Sequence, residues 1–315
     1  MQIAVVLTPP TDLHFRWAAQ VGADEFVARY PMVGTFDDMD RLRDRAGGFG
    51  LRLGAVEGYL PIDDIIHGRA DRDQQIEEMK SLIRNMGRLE VPILCYNFMP
   101  NSDWTRTSFN EEERGGAQVN GFDTILLKAE SMPLEKRTAA GLWSNLEYFL
   151  HAVLPVAEAA GVQLAMHPDD PPLPVLQGSE QIMHDEASFD RLFELSDSPA
   201  NKMCFCQGTF AEMGVDIPAA IGRFADKIAY VHFRDVRGNL KDGSRFVESF
   251  HDNGDTDMAA AMRAYHEAGF RGAMRPDHVP KLEGEEGIAD GYSMLGRLFA
   301  VGYMRGLMHA IVGKR

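Results

Sequence analysis

The sequence predicts an α/β fold, a closed (β/α)8 TIM barrel, and three observations carry that prediction. Short apolar or β-branched runs alternate with longer helical patterns from end to end, as in βα units around a parallel sheet. No composition break or Ser/Gly-rich linker divides the 315 residues. The phosphate cradles of a doubly wound sheet are also missing: no Gly-x-Gly-x-x-Gly follows the first strand, and no Gly-x-x-x-x-Gly-Lys-Ser/Thr occurs. A barrel of this type uses roughly 250 residues. One domain over 1–315 therefore leaves room for a long insertion at about 100–133.

Eight candidate strands follow in order: Ile3 to Leu7, Glu25 to Arg29, Arg52 to Val56, Pro92 to Asn97, Val162 to Met166, Met203 to Cys206, Ala229 to His232 and Ala273 to Arg275. Helical patterns between them include Asp71 to Met86, Leu134 to Ala160, Ile217 to Phe224 and Asp257 to Glu267, and Gly161 and Gly269 supply stop signals. The connection from Pro100 to Pro133 is long, polar and rich in Glu, Gly and Asn, a composition expected of a lid or a disordered loop. Ile288 to Val312 carries Arg297, Arg305 and His309 among glycines, which suits a docked terminal helix rather than a bilayer span.

Composition narrows function. There are 32 Lys and Arg against 47 Asp and Glu, a net charge of −15, opposite in sign to a phosphate-tracking nucleic-acid binder. An anionic substrate would need local help from a metal or arginines. Three cysteines, Cys95, Cys204 and Cys206, fit a reducing compartment. Met1 to Pro10 has no basic segment before its short apolar run, and Pro9 and Pro10 break that run, so no signal peptide is expected and the protein is placed in the cytoplasm. Neither nucleic acid nor membrane is an expected partner; a homo-oligomer is compatible with a barrel, but no interface is legible.

In such a barrel the chemistry sits where the strands end at their C-termini. Four successive strand ends offer His167, Cys206, His232 and Asp277. A single histidine there is more often a rim residue, but two imidazoles, a thiol and a carboxylate together suit a divalent transition metal with positions left for substrate or water. Cys204 points to the same face as Cys206 but lies deeper, which makes Cys206 the better ligand. Asp169 and Asp170 cap a turn or orient a ligand histidine and substrate hydroxyls. His278 directly follows Asp277 and is an acid-base candidate, joined by Tyr292 if the intervening loop folds back over the mouth. Arg106, on the long connection, is able to hold an anionic group bidentately.

At these residues the chain resembles the mannonate dehydratase family of xylose-isomerase-like barrels. The carrying stretches run from Cys95-Tyr-Asn97-Phe-Met-Pro through Trp104-Thr-Arg106-Thr, His167-Pro-Asp-Asp-Pro-Pro, Cys206-Gln-Gly-Thr, Val231-His232-Phe-Arg234, His251-Asp-Asn-Gly-Asp-Thr-Asp257-Met and Arg275-Pro-Asp277-His278 to Gly291-Tyr292, over roughly 85–310. The resemblance implies Mn²⁺, sometimes replaced by another divalent ion such as Fe²⁺ or Co²⁺, on His167, Cys206, His232 and Asp277. It implies catalysis by His278 and Tyr292, with Asn97, Trp104, Arg106, Arg234 and Asp169 at the substrate. The reaction implied is dehydration of D-mannonate, or a related aldonate, to 2-keto-3-deoxy-D-gluconate; one of His278 and Tyr292 then acts as base at C2 and the other as acid at C3, and we take Tyr292 as base and His278 as acid. Residues 1–84 match less well: a histidine expected after the third strand is absent from Tyr59-Leu-Pro-Ile-Asp63-Asp64, and His67 is the nearest. A metal-dependent sugar isomerase or epimerase, and a non-catalytic sugar-acid binder, are the competing readings.

Overall fold

The computed structural model describes residues 1–100, 104–127, 135–285 and 290–313. Its strands are β1 Gln2–Val6, β2 Glu25–Tyr30, β3 Arg52–Gly58, β4 Ile93–Tyr96, β5 Ser108–Glu112, β6 Gln118–Asp123, β7 Gln163–Met166, β8 Val175–Leu176, β9 Ser179–Glu180, β10 Asn201–Cys206, β11 Ile228–Phe233, β12 Val236–Asn239, β13 Arg245–Glu248 and β14 Ala273–Pro276. Eight of them, in the order β1-β14-β11-β10-β7-β4-β3-β2, close a barrel whose pairs are all parallel. Each coincides with one of the eight runs expected from sequence, which read as apolar because barrel strands are buried on both faces.

The inner face is lined low in the barrel by small residues such as Ala4, Ala55, Ala165, Ala229 and Ala273, with Cys95, Cys204 and Tyr230 among them. The outer face packs on a larger core shared with the surrounding helices, including Phe15, Phe149, Phe205 and Tyr265. Helix starts follow local chemistry. Thr11, Thr35, Thr138, Asp185, Asp216, Asp257 and Ser293 each accept a backbone N–H of the first turn, a contact typically contributing about 1 kcal/mol. The helix expected from Leu134 begins at Ala139 because Thr138 caps it, and it ends on Gly161 at φ 68°. The terminal helix starts at Met294, after its Ser293 cap, and ends at Val312. Among the described residues no helix is long and apolar enough to cross a membrane.

The long connection is more ordered than its composition suggested. Ser108 to Asp123 forms the hairpin β5-β6, and β6 pairs with β13, giving an antiparallel sheet of order β12-β13-β6-β5. Phe122, Val236 and Phe246 form its small core. A bridge between Gln118 and Lys281 ties this sheet to the loop after β14, so it stands at the mouth of the barrel.

Candidate active site at the barrel mouth

Register places the predicted ligands side by side. Cys206 on β10 pairs with His232 on β11, which pairs with Arg275 on β14. His167 continues β7, its backbone N–H donating to Tyr96 O at 2.7 Å. One donor atom each from His167, Cys206, His232 and Asp277 lie within 4.8 Å of one another, all four residues buried. His167 Nδ1 lies 2.7 Å from Pro168 O. A carbonyl only accepts, so Nδ1 carries the proton and Nε2 keeps its lone pair. That Nε2 is buried without a hydrogen-bond partner, whereas His232 Nε2 faces Glu57 Oε2 at 3.3 Å.

Burial opposes ionisation of Cys206 and Asp277, but neighbouring cations prevail. Arg234 and His167 hold the Cys206 thiol well below its ordinary range, and Arg275, His278 and His232 do the same for Asp277. Cys204, two residues further down β10, shows the contrast: burial and contact with Cys95 push its thiol well up. Cys95, Cys204 and His232 form a second, deeper group that shares His232.

His278 and Tyr292 do meet. Val279 N–H donates to Gly291 O at 3.0 Å and Val279 bridges Tyr292, so the ends of the loop fold back together. The two rings stand edge to face with centroids 5.8 Å apart. Gly291 sits at φ 75°, and a Cβ there would lie 3.3 Å from His278 Cγ, so both backbone and space call for glycine. His278 Nδ1 is 2.5 Å from Glu248 Oε1 on β13. Burial pushes the Tyr292 hydroxyl up, although Arg29 acts the other way.

The expected substrate contacts divide. Asn97 and Trp104 line a cleft of about 360 Å³ together with His167, His232, Asp277 and Tyr292. Arg106, Arg234 and Asp169 are placed differently from expectation. All five Arg106 N–H donors are taken: Nε by Glu248, Nη1 by Asp170 and Thr105 O, Nη2 by Asp170 and Glu248. Arg234 is fully buried, joining Asp277, Asp170, Thr209 and Glu212. Their guanidiniums serve as struts between carboxylates because the interior offers no water to solvate them. Asp169 is buried away from the cleft, its Oδ2 accepting Met183 N–H at 2.6 Å, and burial pushes its carboxyl up to about 6. His67 also lies apart, with Arg137 Nε 2.7 Å from its Nδ1.

Several residues at the site were not anticipated. Glu57, at the end of β3, takes both Arg275 Nη2 and Nε and the Tyr230 hydroxyl. Reading the first strand ends as the later ones were read finds it. Arg29 ends β2 and lines the cleft. Glu248 had no such signal, since β13 is four residues long with one fully buried apolar side chain, Phe246.

The chain matches the family model for D-mannonate dehydratase over residues 27–137 and 130–314. It is 36% identical to a mannonate dehydratase of Shouchella clausii over 88% of this chain and 86% of that protein, and 34% identical to one of Oceanobacillus iheyensis over 89% and 86%. Its fold superposes on the crystal structure of mannonate dehydratase from Streptococcus suis with a TM-score of 0.91 at 28% identity, covering 99% of this chain and 95% of that one. An Escherichia coli 3-keto-D-glucoside 4-epimerase, at 14% identity and a TM-score of 0.65 over 97% and 99% of the two chains, shares the fold.

Proposed function

From the premise that this chain belongs to the mannonate dehydratase family, we propose that it is a hydro-lyase that converts D-mannonate to 2-keto-3-deoxy-D-gluconate at the barrel mouth. The observation that carries this reading is the convergence of four metal-ligating side chains with a histidine and a tyrosine at one cleft. Dehydration takes the proton from C2, expels hydroxide from C3 and leaves an enol that tautomerises to the ketone. The C2 proton beside a carboxylate is weakly acidic, and the C3 hydroxyl is a poor leaving group.

The donor set fits a divalent cation, with two imidazoles, a thiol held toward thiolate and an ionised carboxylate, and with His167 Nε2 buried and unpartnered. His167, Cys206, His232 and Asp277 would hold it; Mn²⁺ is our choice, with Fe²⁺ or Co²⁺ as substitutes. Such an ion supplies Lewis-acid stabilisation of the charge that develops next to the carboxylate. The acid-base assignment we draw is the reverse of the sequence expectation. Glu248 accepts the His278 Nδ1 proton, which leaves Nε2 to take the proton from C2. Tyr292, kept protonated by burial, donates to the departing C3 hydroxyl. Asn97 and Trp104 contact the sugar acid from the cleft wall.

We read 1–315 as one barrel domain whose four-stranded sheet closes over the mouth, and the three buried free cysteines accord with a cytoplasmic enzyme. The test is to strip the protein with chelator, reload it with Mn²⁺, and follow 2-keto-3-deoxy acid formation from D-mannonate and its C2 and C3 epimers. Metal-dependent turnover of D-mannonate is expected. A ketose product without loss of water would replace this reading with an isomerase.

A further inference from the structure

The inner cleft carries two carboxylates, Glu57 and Asp277, beside two arginines, Arg29 and Arg275, and its substrate in the reading above is an anion. Arg106 and Arg275 at its walls are saturated. Every Arg106 donor is taken, as described, and Arg275 binds Glu57 through Nε and Nη2, and Pro276 O and Asp277 through Nη1. Arg29 is different. It lines both the inner cleft and the outer one that leads to it; among the described residues no carboxylate stands in direct ion-pair contact with it, and its charge is felt at longer range by Glu57. Its guanidinium instead lies 4.9 Å from the Tyr292 ring centroid and 5.6 Å from that of Tyr59. Space is kept for it by Gly58 at φ 106°, where a Cβ would come within 3.3 Å of Arg29 Nε. Two aromatic rings hold the planar cation in place, one of its N–H groups meeting the Tyr292 hydroxyl, and the donors left over are able to bind a carboxylate.

We propose that Arg29 is the specificity residue of this site, receiving the carboxylate of the sugar acid in the cleft it shares with the metal-ligating group. The proposal deepens the functional reading and rests on it. The carboxylate would complete an ion pair that the fold leaves open, in a partly buried setting where such a pair is weakly screened. It would also bring C2 and C3 of an aldonate between His278 and Tyr292. Aldoses and polyols of the same length, with no anionic end, would leave Arg29 partly desolvated and unpaired, which is how a polar site rejects a ligand lacking its partner group.

The test compares the Mn²⁺-loaded wild type with Arg29→Gln and Arg29→Lys on D-mannonate, and measures calorimetric binding of D-mannonate and D-mannitol. Loss of a charge-assisted contact of this kind corresponds to about a 10- to 100-fold rise in KM for Arg29→Gln. Arg29→Lys should recover part of it, and D-mannonate should lose its preference over D-mannitol in the Gln variant. Metal content and the Co²⁺ spectrum of the loaded protein should be unchanged in both variants, which separates this role from a folding defect. A KM within twofold of wild type in Arg29→Gln overturns the proposal. A wild type that dehydrates no aldonate defeats the functional reading instead, and the calorimetric comparison then decides on Arg29: unchanged D-mannonate affinity in Arg29→Gln overturns it, and a loss confined to the anion upholds it.

Discussion

Glu248 offers the sharpest check on the acid-base arrangement, because it touches His278 and has no place against the substrate. Its Oε1 lies 2.5 Å from His278 Nδ1 and accepts from Arg106 Nη2 at 2.7 Å and Nε at 3.0 Å, while Oε2 accepts from Asn120 at 3.0 Å. Burial alone would raise this carboxyl, yet His278 and Arg106 bring it down to about 2, so it is ionised through the neutral range. Glu248→Gln preserves volume but removes the charge and places an amide NH₂ among donors. Arg106 keeps its paired contacts to Asp170 at 2.6 and 3.0 Å, so its charge stays neutralised and the fold should survive. The imidazole, however, loses the anion that fixes its tautomer and rotation. A hydrogen bond to a charged group contributes about 1.5–3 kcal/mol, so kcat on D-mannonate should fall about 10- to 100-fold. KM should stay within about threefold, since no ground-state contact is lost. Steady-state kinetics at fixed Mn²⁺, with metal content and thermal midpoint as controls, give the answer. A kcat within twofold of wild type at unchanged metal content would refute the positioning argument.

Four other substitutions separate metal, chemistry and stability. Cys206→Ser or His232→Ala should reduce bound metal well below that of wild type after equal reloading and dialysis, measured by elemental analysis; full metal content in both would remove them from the ligand set. His278→Asn should retain metal yet lose turnover by at least about 100-fold, the scale of general acid-base catalysis, and near wild-type rates would cancel its role. His251 is fully buried, and burial depresses it from 6.5 to about 4. The unfolded chain therefore binds the extra proton between those values, so this histidine contributes stability that is lost as pH falls through that window. Denaturant melts of wild type should lose about 3 kcal/mol more than those of His251→Phe between pH 7 and pH 4, and parallel losses would contradict the assignment.

The barrel was legible because its strands are buried on both faces, so that runs such as Ile3 to Leu7 and Ala229 to His232 stand out from the helices by length and branching. The four metal-ligating candidates were legible for a related reason: register fixes what a strand end presents, and β10, β11 and β14 carry Cys206, His232 and Asp277 at matching heights or one pleat beyond. The antiparallel sheet was not legible. Its strands are four to six residues long and bury few side chains, chiefly Phe122, Val236 and Phe246, too few to set a period. Glu248 was lost with it. Arg106 was read correctly as a bidentate residue but assigned to the wrong kind of anion, since sequence does not show that Asp170 and Glu248, 64 and 142 residues away, arrive first.

The charge balance around the site gives an independent reason for a divalent cation. Arg106, Arg234 and Arg275 are threaded through Glu57, Asp170, Glu248 and Asp277 by direct contacts, all of them buried, and the charge of Arg234 bears on the buried Cys206 sulfur. Burial and the proximity of Asp170 push Glu212, which also touches Arg234, well up toward the neutral form. With both ligand histidines neutral, five anionic groups face these three guanidiniums and Arg29, which bears on Glu57, so negative charge is in excess in a low-dielectric interior. Such an excess is strongly unfavourable unless something neutralises it. In the structure the histidines respond to it: burial and Arg275 oppose a charge on His232, yet Cys204 and Asp277 raise it well above the ordinary range, and Cys206 raises His167 against its own burial. A divalent ion held at these residues would relieve the same excess, and it requires both imidazoles in their neutral form. The same excess explains why the substrate carboxylate needs Arg29, the cleft guanidinium that makes no direct carboxylate contact in this network.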